Sequence, residues 1–258
     1  MNSDTVASVG APVSPTGRPE AKCAPSGGSA AHEVASVGAF IFDMDGTMVD
    51  SMPWHAKSWE VFAERHGIGI DLPDLMRRTT GRNGVECMRE LFSRELDEAA
   101  ALALIHEKEA IYRALFTPVF REVAGFKAFS ERALARGLKV GVGTAGDRHN
   151  VAFVMSQLKM QTRPHAVVGG DEGLPGKPDP AIFLEAARRI GTAASACIVF
   201  EDAPFGIEAA RRAGMRAVAI CSSHSAQALA GPHVLAQVRD YNELFESNFL
   251  ENLHVAIA

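Results

Sequence analysis

The chain has 258 residues, enough for one large α/β domain or a core domain carrying a smaller insert. Its 47% hydrophobic and 22% charged residues are those of an ordinary soluble globular protein. A net charge of −5 offers no electrostatic footprint for nucleic acid or an anionic membrane surface, and no apolar stretch approaches the length of a membrane span. The four cysteines, Cys23, Cys87, Cys197 and Cys221, are scattered without a C-x-x-C pair. That usage fits reduced, buried thiols in a cytoplasmic protein rather than a disulfide framework or a zinc site.

Residues 1–36 are rich in Ser, Gly, Ala and Pro and almost devoid of large apolar side chains, so they cannot bury enough surface to offset ordering entropy. They are expected to be a disordered tail, with neither the apolar core of a secretory signal nor the Arg-rich pattern of a transit peptide. Val37 to Asp43 is the first predicted strand, and it runs into two carboxylates one residue apart, Asp43 and Asp45, followed by Gly46. Side-chain alternation along a strand would lean both acids the same way. Two such acids repel unless a cation, a proton or a reaction needs them. The same residues also suit a plain acidic turn with Gly46 as its hinge.

Ser51 is placed to cap a helix beginning at Met52-Pro53, with Trp54, Ala56, Trp59, Phe62 and Ala63 as its apolar face and His66-Gly67 as its end. A second helix is predicted from Gly84 to Arg94. A third carries Leu102, Ile105, Ile111, Tyr112, Leu115 and Phe116 at helical spacing, with Glu107, Lys108 and Glu109 on the opposite side. No strand is predicted between Met52 and Phe116. A helical block over 52–117, inserted directly after the first strand, is expected to cap a core made of 37–51 and 118–258.

Alternation of helix and strand resumes at Val123. Strands are predicted at Leu138–Gly143, Ala166–Val168, Cys197–Phe200, Ala217–Ile220 and Val234–Val238, with helices opened by Asp147, Pro180 and Pro204 between them and a terminal helix after the last. Strands separated by single helices imply parallel pairing with right-handed crossovers. The expected fold is therefore α/β, a doubly wound, Rossmann-like parallel sheet with an all-helical insert.

In open parallel sheets ligands bind outside the carboxyl ends of the strands. Asp43 and Asp45, Thr144, Lys177, and Glu201 with Asp202 all fall at such ends. Singly, each has a bland alternative: Thr144 as a hydroxyl bonding backbone, Lys177 as a solvated loop lysine, Glu201-Asp202 as a helix cap. Together they make an oxygen-rich cation site beside two groups suited to a phosphate. Mg²⁺ prefers hard oxygens and bridges carboxylates to phosphate, so Asp43, Asp202 and Glu201 suit it. With the metal and Lys177 relieving the repulsion between carboxylate and phosphate, Asp43 could attack phosphorus, Asp45 could protonate the leaving alcohol and then deprotonate water, and Thr144 with backbone N–H groups could hold the phosphoryl oxygens.

The segments Asp43-Met-Asp-Gly-Thr-Met-Val-Asp-Ser, Thr144, Gly176-Lys177-Pro178-Asp179-Pro180 and Phe200-Glu201-Asp202-Ala-Pro-Phe-Gly-Ile resemble, in order, the four motifs of the haloacid-dehalogenase-like hydrolases. The position of the helical insert is similar to the cap of β-phosphoglucomutase and the sugar-phosphate phosphatases. The resemblance implies a Mg²⁺ cofactor, Asp43 as nucleophile and Asp45 as general acid/base. It further implies that Asp45 offers the metal its backbone carbonyl. A monomer acting on a small phosphorylated metabolite is expected, with no nucleic-acid or membrane partner.

Within that family the acceptor decides between phosphatase and mutase, and a mutase must also grip a second phosphate. Where β-phosphoglucomutase has a Ser-Lys-Asn run, this chain has Gly146-Asp147-Arg148, and an aspartate would weaken phosphate binding unless Arg148 turned inward. Arg82 lies near the place of the mutase's cap arginine but out of its register, while His55 and Lys108 match residues near the reaction centre. Arg82, with Arg77, Arg78 and Arg89, is a candidate reader of the substrate. The segments Asp43–Trp59 and Ile198–Val218 resemble fructose-1-phosphate phosphatases, which favours hydrolysis. A phospho-accepting signalling domain is the alternative of another class, and the insert and the late Lys177 and Glu201-Asp202 argue against it.

Overall fold

The computed structural model describes residues 36–92 and 96–255; all but Ser36 of the expected tail, Cys23 included, lies outside them. The strands are β1 (Ala39–Phe42), β2 (Lys139–Gly143), β3 (Ala166–Val168), β4 (Cys197–Glu201), β5 (Arg216–Ile220) and β6 (Val234–Val238). They form a single parallel sheet in the order β3-β2-β1-β4-β5-β6. β1 is central, with Phe40 registered against Val140 on one side and Ile198 on the other. Its four residues are all buried because both faces are covered, which is why it reads as an unbroken apolar run.

The period of two is visible in which core each residue joins. Phe40 and Phe42 enter an aromatic core with Phe126, Phe129, Phe200 and Tyr241, while Ala39 and Ile41 enter an aliphatic core on the opposite face. The helices α5 (Phe126–Ala135), α6 (Arg148–Leu158) and α9 (Tyr241–Glu246) cover the aromatic face. α7 (Ala181–Ile190) and α8 (Pro204–Arg212) cover the other. The sheet is doubly wound, as its strand–helix alternation implies. Between β1 and β4 the chain reverses its direction across the sheet, which opens a crevice at that switch point.

Between β1 and β2 lie α1 (Met52–His66), α2 (Leu72–Thr79), α3 (Gly84–Leu91) and α4 (Glu98–Phe116). This block has its own core, built from Trp59, Phe62, Leu75, Met88 and Ile105 among others. Four expectations change here. α2 was not anticipated, although Asp71 caps it by accepting from the Asp74 amide at 3.0 Å and Pro73 lies in its first turn. α3 ends at Leu91 rather than at Arg94, which lies outside the described residues. Lys108 and Glu109 are not a solvated face: they are 2% and 8% exposed. Ser51 holds the N-cap place of α1, but its hydroxyl donates to Asp45 instead of accepting from the helix.

No helix among the described residues is long and apolar enough to cross a membrane, and Cys87, Cys197 and Cys221 are not in disulfides. The aromatic core makes one sharp prediction. Phe129 is fully buried, with its ring centroid 5.8 Å from Phe40, 5.5 Å from Phe200 and 5.2 Å from Tyr241. Phe129→Ala should lower unfolding free energy by about 3–5 kcal/mol in a denaturant titration. A loss below about 1 kcal/mol would mean the neighbouring rings collapse into the space.

Candidate active site

Asp43 is the first residue past β1, and its amide still donates to the Phe200 carbonyl of β4 at 3.0 Å. That backbone tie brings its carboxylate beside the residues that end β4. Lys177, from the loop between β3 and α7, donates from Nζ to Asp43 Oδ1 at 2.6 Å and to Glu201 Oε1 at 2.7 Å. The lysine is 1% exposed, and Nζ lies 4.7 Å from the Phe183 ring centroid, so it is a buried bridge and not a solvated loop residue. The second Glu201 oxygen accepts from the Ala203 amide at 2.7 Å. Asp202 is held by the hydroxyls of Thr47 (3.4 Å) and Ser223.

Two glycines create the room for these acids. A Cβ on Gly206, inside α8, would lie 1.8 Å from Glu201 Oε1. Gly46 has φ of +78°, and a Cβ there would lie 2.1 Å from Asp202 Oδ2. No other residue fits either place without moving a carboxylate.

Asp43, Glu201 and Asp202 bring one oxygen each to within 4.8 Å of one another, all buried. Were all three carboxylates ionised, the single Lys177 ammonium among them would leave a deficit of two positive charges. Burial pushes the Asp43 carboxyl up to about 8, with Lys177 offsetting only part of the cost. Asp202 is raised for the same reason, reinforced by the Glu201 and Asp43 charges. A hard divalent cation fits both the charge and the donor set.

Asp45 has a different set of partners. The backbone bends at Met44, so strand alternation no longer governs it. Its Oδ1 accepts from Ser51 Oγ at 2.7 Å and from the Tyr112 hydroxyl at 3.2 Å. His55 Nε2 also lies 3.0 Å away, within ion-pair range but poorly aligned for a hydrogen bond. Burial alone would raise this carboxyl, yet His55, Ser51 and Tyr112 hold it below the ordinary range. The His55 ring is stacked on Tyr112 with centroids 3.7 Å apart.

Asp43, Asp45, Thr144, Gly146, Glu201 and Asp202 line one cavity of about 160 Å³. His55, Lys108 and Arg82 line its wall toward the helical block. Thr144 Oγ1 accepts from the Gly146 amide at 3.0 Å, so the hydroxyl both bonds backbone and faces the cavity. Arg82 reaches Glu86 at 3.3 Å and Glu90 at 3.4 Å from the cavity rim. The other candidate arginines are not gathered there. Arg77 and Arg78 pair with Asp74, and Arg89 is exposed. Arg148 does not turn inward either: its side chain is 75% exposed and paired with Asp171.

A family profile described as haloacid dehalogenase-like hydrolase matches residues 37–214. The chain belongs to this family. Validoxylamine A 7'-phosphate phosphatase of Streptomyces hygroscopicus subsp. limoneus is 31% identical over 209 residues, spanning 79% of this chain and 94% of that protein. Fructose-1-phosphate phosphatase YqaB of Escherichia coli is 33% identical over 184 residues, 69% of this chain and 93% of that one. The crystal structure of a hydrolase from Pseudomonas syringae superposes with a TM-score of 0.74 at 24% identity, over 84% of this chain and all but 1% of the other, and shows the shared fold.

In this haloacid dehalogenase-like hydrolase one supporting segment was absent from the sequence-based expectations. Ser222, Ser223 and His224 follow β5, on the same edge of the sheet. Ser222 donates to the Gly46 carbonyl, Ser223 to Asp202, and His224 Nδ1 lies 2.9 Å from the Asp202 carbonyl. The available signal was positional, a polar Ser-Ser-His run at the end of a buried strand. Gly206→Ala tests the geometry by sign. Helix propensity alone would stabilise by up to about 1 kcal/mol. The contact with Glu201 should instead lower both the melting temperature and turnover, and a more stable, equally active variant would overturn the assigned packing.

Proposed function

We propose that this chain is a Mg²⁺-dependent phosphatase acting on a small phosphate monoester, a sugar phosphate, through an aspartyl-phosphate on Asp43. The reading is carried by one observation: two buried carboxylates with opposite surroundings, Asp43 in the Lys177 cluster and Asp45 under His55, Ser51 and Tyr112, line the same cavity. The named phosphatase relatives support it. In this reading the helical block over 52–117 is the cap, and 37–51 with 118–258 is the catalytic core.

Asp43, Glu201 and Asp202, with the Asp45 backbone carbonyl, would hold the metal. When bound, Mg²⁺ supplies the two missing positive charges and so relieves the repulsion between a carboxylate and a phosphate dianion. Lys177 and Thr144 hold phosphoryl oxygens. Asp43 forms a bond to phosphorus as the ester oxygen leaves, and Asp45 gives that oxygen its proton. Asp45 takes up this proton beforehand, favoured by the arriving dianion. Its partners then keep it ionised as the base that receives a proton from the attacking water. That water breaks the Asp43–phosphate bond and frees phosphate. Glu201 also holds Lys177 and accepts from the Ala203 amide, which fixes its orientation beside the other two acids.

Hydrolysis is favoured over mutase chemistry by the wall around Asp147. Its carboxylate caps α6, accepting from the Asn150 amide at 2.8 Å, and Arg148 beside it faces outward, so no cation of this run is aimed at a second phosphate. Asp43→Asn is nearly isosteric; it should abolish Mg²⁺-dependent phosphate release while leaving the circular dichroism spectrum intact. Release retained by that variant would refute the nucleophile. A panel of sugar phosphates, assayed for free phosphate and for isomers together, should give phosphate without isomerisation. Arg82→Ala should change the ranking of that panel while sparing a small generic ester, whereas equal loss throughout would remove Arg82 from substrate recognition.

A further inference from the structure

Two charged side chains buried in the helical block take no part in the phosphoryl step. Lys108 and Glu109 are neighbours on α4, and Lys108 Nζ donates to Glu109 Oε1 at 2.9 Å. The same ammonium lies 2.9 Å from His55 Nδ1, which as acceptor leaves the imidazole proton on Nε2, the nitrogen 3.0 Å from Asp45. The second Glu109 oxygen accepts from Asn150 Nδ2 at 2.7 Å. Asn150 belongs to α6 in the core, is 1% exposed, and its own oxygen accepts from Arg113 of α4 at 2.7 Å. One line of polar contacts therefore runs from a core helix, through Glu109, Lys108 and His55, to Asp45.

Burying an ionised carboxylate without its partners costs far more than leaving it in water. Burial works against the Glu109 charge, and Lys108, His55 and Asn150 outweigh it, so the carboxyl stays below its usual range. Glu109 and Asn150 keep these partners across the two elements only where α4 is seated on α6 in the observed register. A buried network of this kind selects one arrangement rather than adding bulk stability.

We propose that Asn150 and Glu109 are positioning residues: their bond sets the seating of the helical block on the core and so aligns Lys108 and His55 on Asp45. The alignment half of this rests on the reading of Asp45 as the acid/base; the seating half does not. The effect should concentrate on substrates whose leaving oxygen needs a proton.

The test compares Asn150→Ala, Glu109→Gln and the double variant E109Q/N150D, which rebuilds the bond with donor and acceptor exchanged. Activity is read on a hexitol phosphate, an alkyl ester, and on p-nitrophenyl phosphate, whose phenolate leaves without a proton. Asn150→Ala should lower kcat on the alkyl ester about tenfold or more, the scale of a lost hydrogen bond to a buried charge, with KM and the aryl ester little changed. The double variant should recover most of that loss. Equal losses on both esters, an alanine variant within about twofold of the parent on the alkyl ester, or no recovery would overturn the proposal. Amide hydrogen exchange without substrate provides an arm that stands even if neither ester is hydrolysed. Asn150→Ala should speed exchange over 80–83 and around Gly176, where Gly81 lies against Ala203 and Phe205 and Gly176 against Glu86, while the sheet is unchanged. Unaltered exchange there would exclude the seating role.

Discussion

The structure depends on one buried ammonium. Lys177 sits between Asp43 and Glu201 at 2.6 and 2.7 Å, where it joins the loop after β3 to the ends of β1 and β4. A lysine buried this deeply would lose its proton if it were alone, but the two carboxylates more than reverse that tendency and keep it charged. In return it makes the burial of two adjacent acids tolerable. Gly206 gives Glu201 its space, Gly46 does the same for Asp202, and the Phe200 carbonyl anchors the Asp43 amide.

The sheet topology explains why so few residues suffice. Reversal of winding between β1 and β4 leaves their carboxyl ends adjacent and uncovered by a crossover, so residues far apart in sequence converge without an extra supporting loop. The aromatic core beneath, with Phe42 and Phe200 stacked at 4.6 Å, sits directly under the acids and makes the platform stiff. A rigid base matters because preorganised charge is useful only if it does not relax when the substrate arrives.

Much of this was legible in the sequence because it is written in local signals. Apolar runs ending in acids marked β1 and β4, and Asp147, Pro204 and Gly67 marked helix ends where they fall. The site residues Asp43, Asp45, Thr144, Lys177, Glu201 and Asp202 do converge, because strand ends of a parallel sheet share one edge. What was not legible depended on tertiary partners. Glu107-Lys108-Glu109 looks like a solvated stripe, yet two of its three members are buried, since only the fold shows that Asn150 and His55 face them. Ser51 looks like a cap, but the competing acceptor Asp45 lies six residues back and wins its hydroxyl. Helix α2 is short, and its signal rested on Asp71 and Pro73 rather than on a long periodic face.

The two carboxylates that open the site also divide the molecule. Asp43 answers to the core: its partners are Lys177 and the Phe200 carbonyl, with the neighbouring acids Glu201 and Asp45 acting on its charge. Asp45 is a core residue by sequence, yet His55 of α1 and Tyr112 of α4 come from the helical block, and Ser51 stands at the junction. Any change in how the block is seated therefore acts first on the surroundings of Asp45, while Lys177 and the Phe200 carbonyl stay in place beside Asp43. The same block supplies Arg82, Lys108 and much of the remaining cavity wall. Under the proposed function, recognition of the leaving alcohol and delivery of its proton would share one structural element. In the proposed reaction, an alcohol that failed to hold that element in register would lose its proton donor as well as its binding contacts, so selectivity would be exercised on the chemical step and not on affinity alone.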